Sequence, residues 1–195
     1  MYYGAMEKVG VPKRRILVDR VVAARGAQQE AKEQFASALQ QFLAVTKVPA
    51  TELQATYERL DSEFKRSEAR AQEVRSRIAA IDDVAQALFG EWHKELGQYT
   101  NASLRAQSER QLNATKSRYA SLMQVMAQAA ARMDPVLNAF RDQVLFLKHN
   151  LNAQAISALS STTQDLQQDI SRLIADMEKS IKEADTFVSS MQAPE

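Results

Sequence analysis

Several residue types that would narrow the function are scarce or missing in this chain of 195 residues. It contains no cysteine, which excludes disulfides, thiolate catalysis and cysteine-bound zinc or iron–sulfur centres. It has only 5 glycines and 4 prolines, too few turn-forming residues for a protein of many strands. No apolar run approaches the roughly 20 residues that span a bilayer. The formal net charge of +1 gives no overall field that would attract nucleic acid or anionic lipid.

Motifs with recognisable chemistry are also missing. The two histidines, His93 and His149, lack the Glu-x-x-His or His-x-x-x-His spacing with which helices aim two metal ligands at one ion. There is no P-loop, no dinucleotide glycine motif and no Gly-x-Ser-x-Gly elbow. We therefore expect no enzymatic activity, no metal centre and no cofactor, and we assign the histidines to capping or hydrogen bonding.

The residues that are abundant favour an all-α protein. Hydrophobic residues make up 45% and charged residues 25%, enough to build a core with a soluble surface. Alanine, glutamine, leucine, glutamate, arginine and lysine dominate, and these lose least on entering a helix. Apolar residues recur at alternating steps of four and three, which predicts coiled-coil packing. The clearest such stripe is Leu53, Tyr57, Leu60, Phe64, Ser67, Ala71, Val74, Ile78, Ile81, Ala85, Leu88, Trp92, Glu95 and Tyr99.

Breaks in the stripes predict helices at about 12–45, 51–99, 103–150 and 153–191, after an N-terminal tether at 1–11. Short breaks between long helices predict an elongated, antiparallel up-down-up-down four-helix bundle, a single domain over 12–192. A three-helix hairpin with a separately docked fourth helix is the alternative. Thr51 is the predicted N-cap of the second helix, and Asn101 or Ser103 that of the third. At Pro135 we favour a kinked helix over a fresh helix capped by Asp134, because the heptad phase continues across it.

The stretch "VLFLKHN" allows two interpretations. Val144, Leu145, Phe146 and Leu147 point in all directions around a helix, so this turn must be covered on more than one side. The structural interpretation is closure of the bundle end, with asparagines forming the reversal. The functional interpretation is a partner-docking patch made of Val144, Leu145, Phe146, Leu147, His149 and Asn150.

Positive charge is concentrated where the first helix begins, at Lys13, Arg14 and Arg15, with Arg20 and Arg25 following. Cations are unfavourable at a helix N-terminus. We prefer pairing with the acidic last helix, and the alternative is a phosphate or membrane contact by Lys13, Arg14 and Arg15. Nucleic acid is disfavoured, since no aromatic residues interleave with the cluster. Polar Gln28, Ser67 and Glu95 within the stripes mark either register-setting layers or thin parts of the core, so homo-oligomerisation stays open.

The segments "YYGAMEKVGV", "AQQEAKEQFASAL", "QYTNASLR" and "FRDQVLFLKHNLNAQAI" resemble an uncharacterised family of Gram-negative bacterial proteins of unknown function, over essentially the whole chain. Many of its members look like lipoproteins, with a lipid-modified cysteine just before the segment matching Tyr2 and Tyr3. The resemblance therefore implies a periplasmic, membrane-anchored protein, although this chain has Met1 there and no apolar signal-peptide core.

These observations together predict a non-enzymatic scaffold or adaptor of the bacterial envelope, with an unidentified protein partner and a membrane surface near its N-terminal end. A cytoplasmic coiled-coil accessory factor of a nucleoprotein complex and a membrane-shaping helical bundle are the alternatives.

Overall fold

The computed structural model describes residues 12–45 and 47–192, apart from the side chains at 50, 153–155 and 161. This part of the chain forms four long helices and no strand. They are α1 (Lys13–Val45), α2 (Leu53–Leu96), α3 (Ala102–His149) and α4 (Ala153–Gln192), and a short 3-10 turn, Ala50–Glu52, precedes α2. The predicted tether at 1–11 lies outside the described residues.

Each helix packs against its neighbours in the chain, and α4 also packs along α1, which closes the ring. Arg25 of α1 pairs with Asp185 of α4, and Lys32, further along α1, pairs with the earlier Glu178, so these helices are antiparallel. The predicted up-down-up-down bundle is thereby confirmed, and the fourth helix is not a separate appendage. We call the end holding the start of α1, the α2–α3 turn and the end of α4 the proximal end, and the opposite end the distal end.

Two of the predicted helix boundaries can be compared with the structure. Asn101 caps α3, because its side-chain oxygen accepts hydrogen bonds from the backbone N–H groups of Ser103 (2.9 Å) and Leu104 (3.1 Å). Thr51 does not cap α2. The backbone N–H of Glu52 donates to the carbonyl of Pro49 at 2.9 Å, which places Thr51 inside a 3-10 turn, and α2 begins only at Leu53.

Helix α3 runs without interruption past Pro135, so the interpretation of a fresh helix capped by Asp134 is wrong. Pro135 is exposed and lacks an N–H group, which leaves the carbonyl one turn earlier on the solvent side without its helical hydrogen bond. Asp134 instead accepts a hydrogen bond from Arg75 of α2. The proline therefore lies where water can replace the missing bond.

The core follows the heptad stripes closely in α1 and α3, where every position of the predicted repeat is buried. The positions in α1 are Leu17, Val21, Ala24, Gln28, Ala31, Phe35, Ala38, Phe42 and Val45. Those in α3 are Leu112, Thr115, Tyr119, Leu122, Met126, Ala129, Met133, Val136 and Phe140. In α2 the stripe drifts along the helix: Val84, Phe89 and Leu96 are buried, whereas Glu95 and Tyr99 are exposed. In the last turns of α2 the inward face therefore departs from the strict heptad, with Leu96 buried in place of Glu95, and Tyr99 lies beyond the end of this helix at Leu96.

The buried residues form two clusters, one towards each end, and Ile78 of α2 packs against both. Between them lie Gln28 of α1 and Ser180 of α4, both fully buried. Phe140 anchors the distal cluster, with edge-to-face contacts to Phe42 (6.2 Å between centroids) and Phe64 (6.0 Å). None of the described helices is apolar over a length sufficient to cross a bilayer.

Candidate functional site

The described residues contain no cluster of three or more histidine, cysteine or acidic side chains able to hold a metal ion. His93 and His149 are both exposed, and they lie near opposite ends of the bundle, His93 on α2 and His149 at the end of α3. The two histidines therefore cannot act on one substrate or bind one ion.

The apolar residues of the predicted docking patch lie on two different faces of α3. Val144 (4% exposed) and Leu147 (fully buried) face the distal core. Leu145 (47%) and Phe146 (39%) face outward. The expectation that this turn is covered on more than one side is thus wrong: residues three apart share the inward face, and the two between them are left on the outer surface. Val144 and Leu147 are unavailable to a partner in the folded chain.

Asn150 follows the last residue of α3 and forms part of the chain reversal. Its backbone N–H donates to the carbonyl of Leu147 at 3.2 Å, and its side-chain amide donates to the carbonyl of Phe146 at 2.9 Å. The chain then turns into α4 with Leu151 exposed at 41%. Leu145, Phe146 and Leu151 form what we call the distal patch, and Lys148 and His149 are the exposed polar residues between them.

The basic cluster at the start of α1 is only partly accessible. The side chain of Lys13 is 10% exposed, and its ammonium donates to Glu91 of α2 at 2.8 Å. Arg14 donates to the carbonyl of Met191 at 3.1 Å, and thus satisfies a carbonyl at the end of α4. Arg15 is exposed and has no ion pair among the described residues. Pairing with the last helix, the preferred prediction, holds for Arg25 with Asp185 (2.5 Å), whereas Lys13 pairs with α2 and is not available for a phosphate.

A second exposed surface, which the sequence patterns did not reveal, surrounds the α2–α3 turn. Leu104 is 52% exposed and Tyr99 is 42% exposed. Lys94 and Arg105 flank them, both exposed and without an ion pair among the described residues. The heptad pattern predicts Tyr99 in the stripe of α2, but that helix ends at Leu96. The signal that could have found this surface is Leu104, an apolar residue in the first turn after a capping asparagine and outside every heptad position.

An open groove of about 440 Å³ lies between α2 and α3, with Phe89 and Tyr119 as its floor and Gln86, Gly90, His93 and Lys116 around it. The Lys116 ammonium lies 5.8 Å from the Phe89 ring centroid, and the Tyr119 hydroxyl donates to Asp82 at 2.5 Å. Burial, and secondly this hydrogen bond, raise the pKa of Tyr119, so the phenol stays protonated. The same bond lowers the pKa of Asp82.

Neither a curated protein nor a solved structure shows significant similarity to this chain. Residues 2–191 match the family model described as "Protein of unknown function (DUF2959)", and the chain therefore belongs to that family.

Proposed function

We propose that this protein is a non-enzymatic scaffold or adaptor of the bacterial cell envelope, which presents the distal patch to a protein partner. The proposal rests on one observation. Leu145, Phe146 and Leu151 are all exposed at the distal end of the bundle, whereas the described chain begins and ends at the proximal end. Exposed apolar residues grouped at one place on a soluble surface mark interaction sites. The proximal end would lie towards the membrane in this arrangement.

The geometry suits a spacer. Helix α3 has 48 residues and at about 1.5 Å per residue is ~72 Å long. The distal patch lies at the far end of this helix, and the buried residues Val144 and Leu147 hold the patch to the core directly beneath it. A patch fixed to a packed bundle is presented in one orientation, which lowers the entropy cost of binding.

Site-specific photocrosslinking in cells tests the docking step. A benzoylphenylalanine replacing Phe146 should give discrete adducts of higher mass, which should weaken when Leu145 and Leu151 are also changed to serine. The matched control carries the probe at Ala127, an exposed position on the same helix far from the patch. Identical adduct patterns from the two positions would contradict docking at the distal patch.

Fractionation tests the envelope location separately. The protein expressed from its own gene should be recovered with the envelope. Recovery with the cytosol would refute that part of the proposal and would favour a cytoplasmic accessory role.

A further inference from the structure

The α2–α3 turn projects beyond the rest of the proximal end. Lys13, the first residue of α1, pairs with Glu91, and Arg14 contacts the carbonyl of Met191 near the end of α4. Helix α2 continues from Glu91 to Leu96, a further ~7.5 Å at about 1.5 Å per residue. The turn that follows carries Tyr99 and Leu104 and is therefore the outermost described part of this end.

Positive charge at this end is placed where the helices themselves disfavour it. Helices α1 and α3 both begin here, and neither has an acidic residue in its first turn. Instead, α1 begins with Lys13, Arg14 and Arg15, and Arg105 lies in the first turns of α3. The N-terminus of a helix carries a partial positive charge and stabilises anions. An anion bound beside the start of α1 or α3 would be attracted both by that helix terminus and by the side chains.

The cations available for such an anion outnumber the acids. This balance covers the nine residues of each helix that lie nearest this end. Within them, the cations without an ion pair among the described residues are Arg15, Arg20, Lys94, Arg105 and Arg110, and the acids without one are Asp19, Glu95 and Glu109. The excess is positive although the chain as a whole is nearly neutral at +1.

We infer that the proximal end binds the surface of an anionic lipid bilayer, with Tyr99 and Leu104 entering the headgroup region and Arg15, Lys94 and Arg105 contacting phosphates. Tyrosine and leucine beside basic residues is the composition that favours the interface of a membrane. Two half-exposed side chains on a projecting turn fall far short of the ~800 Å² that each partner buries in a stable protein interface. A bilayer requires no such complementary area. The inference rests on the proposed envelope location and names lipid as the ligand of the proximal end.

Flotation with vesicles of phosphatidylglycerol and of phosphatidylcholine tests this directly. The protein should float with phosphatidylglycerol and not with phosphatidylcholine, and binding should weaken as salt is added. Arg15→Gln/Arg105→Gln should reduce the partition coefficient by about fivefold per cation removed, and Tyr99→Ser/Leu104→Ser should reduce it by a similar or larger factor. Circular dichroism of each variant checks that the helices are retained.

The matched control is Leu145→Ser/Phe146→Ser, the same kind of change at the distal end, which should float like the unaltered protein. Equal binding to both lipids, no flotation, or loss of flotation only in the distal variant would each overturn the inference. Competition by dissolved inorganic phosphate, compared with sodium chloride at equal ionic strength, would overturn it in favour of a soluble anion site. Failure of the crosslink at Phe146 would leave the flotation result unaffected, so the two proposals fail separately.

Discussion

The hydroxyl of Ser180 on α4 donates a hydrogen bond of 2.9 Å to the side-chain oxygen of Gln28 on α1, and both side chains are fully buried. The amide nitrogen of Gln28 has no partner among the described residues. Reversing the amide would satisfy the nitrogen and leave the oxygen without a partner, so one polar atom is unpaired in either orientation. A buried polar group without a hydrogen bond costs about 1–3 kcal/mol. The place where the two hydrophobic clusters meet is therefore a weak layer of the core.

Gln28→Met should raise the free energy of unfolding by about 1–2 kcal/mol, because an apolar side chain of similar length removes the unpaired amide and fills the same space. The hydroxyl of Ser180 can then bond to a carbonyl of its own helix. Urea denaturation followed by circular dichroism measures the change. Gln40→Met, on the exposed face of the same helix, is the control and should stay within about 0.5 kcal/mol of the unaltered protein. A loss of stability in Gln28→Met would show that the amide is satisfied, for example by buried water.

Phe140 and Phe146 lie on the same helix, but Phe140 is 1% exposed and Phe146 is 39% exposed. Phe140→Ala should lower the free energy of unfolding by about 3–5 kcal/mol, because it removes the ring between Phe42 and Phe64 and leaves a cavity. Phe146→Ala should cost less than about 1 kcal/mol. Thermal and urea unfolding of the pair give the comparison. Similar losses in the two variants would mean that Phe146 is part of the core and would remove it from the distal patch.

The sequence patterns predicted the architecture because the packing of long helices depends on apolar residues that recur at heptad spacing, which is visible in the sequence. Every heptad position assigned in α1 and α3 is buried, and the breaks between the stripes coincide with the turns. The same pattern wrongly places Glu95 and Tyr99 inside the bundle, because the inward face shifts by one position near the end of α2 and Tyr99 lies beyond that end. An error of one position is harmless to the fold but moves a side chain from the core to the surface.

The surfaces were less predictable, because they depend on single residues in three dimensions. Lys13 was assigned to the last helix or to a phosphate, and it pairs with Glu91, 78 positions away in the chain. A cation that forms such an ion pair within the chain is no longer available to a ligand, and the sequence alone does not show which cations are paired. Of the four apolar residues in the predicted docking patch, Leu145 and Phe146 are exposed, whereas Val144 and Leu147 next to them are buried. Composition cannot separate these neighbours, since all four are apolar.

The hydrogen bond from Tyr119 to Asp82 should make stability depend on pH at both extremes. The pKa of Asp82 is lowered below its ordinary value of 3.8, chiefly by Tyr119 and then by Gln86, so its contribution is present above that value and is lost as the pH falls through the lowered pKa. The pKa of Tyr119 is raised above its ordinary value of 10.0, so its contribution is present below that value and is lost as the pH rises further.

Tyr119→Phe should therefore be less stable than the unaltered protein between about pH 5 and 9, and the difference should shrink below about pH 3 and above about pH 10. Urea midpoints measured across this range test the prediction. Tyr57→Phe is the matched control, since the Tyr57 hydroxyl makes no hydrogen bond within the described part of the chain. A difference between Tyr119→Phe and the unaltered protein that stays constant with pH would show that the bond does not couple to either titration.

Gly26 and Gly90 lie inside α1 and α2, and a methyl group added at either position would meet no atom within 4 Å. Glycine in a helix interior costs about 0.5–1 kcal/mol relative to alanine, because the unfolded chain loses more conformational freedom. Gly26→Ala and Gly90→Ala should each raise the free energy of unfolding by this amount. The double variant should show the sum, because the two sites lie on different helices at different heights and share no partner.

Gly97→Ala is the comparison for this pair, because Gly97 follows the end of α2 with a φ of −71° that alanine also adopts. An added methyl group would, however, lie 3.4 Å from the carbonyl oxygen of Lys94, a close contact that offsets the gain from the unfolded chain. The substitution should change the free energy of unfolding by less than about 0.5 kcal/mol. A loss of stability in Gly90→Ala would mean that the groove between Phe89 and Tyr119 is closed in solution by another part of the chain or by a second copy. Repeating the denaturation at several protein concentrations separates these two causes, since only association makes the midpoint depend on concentration.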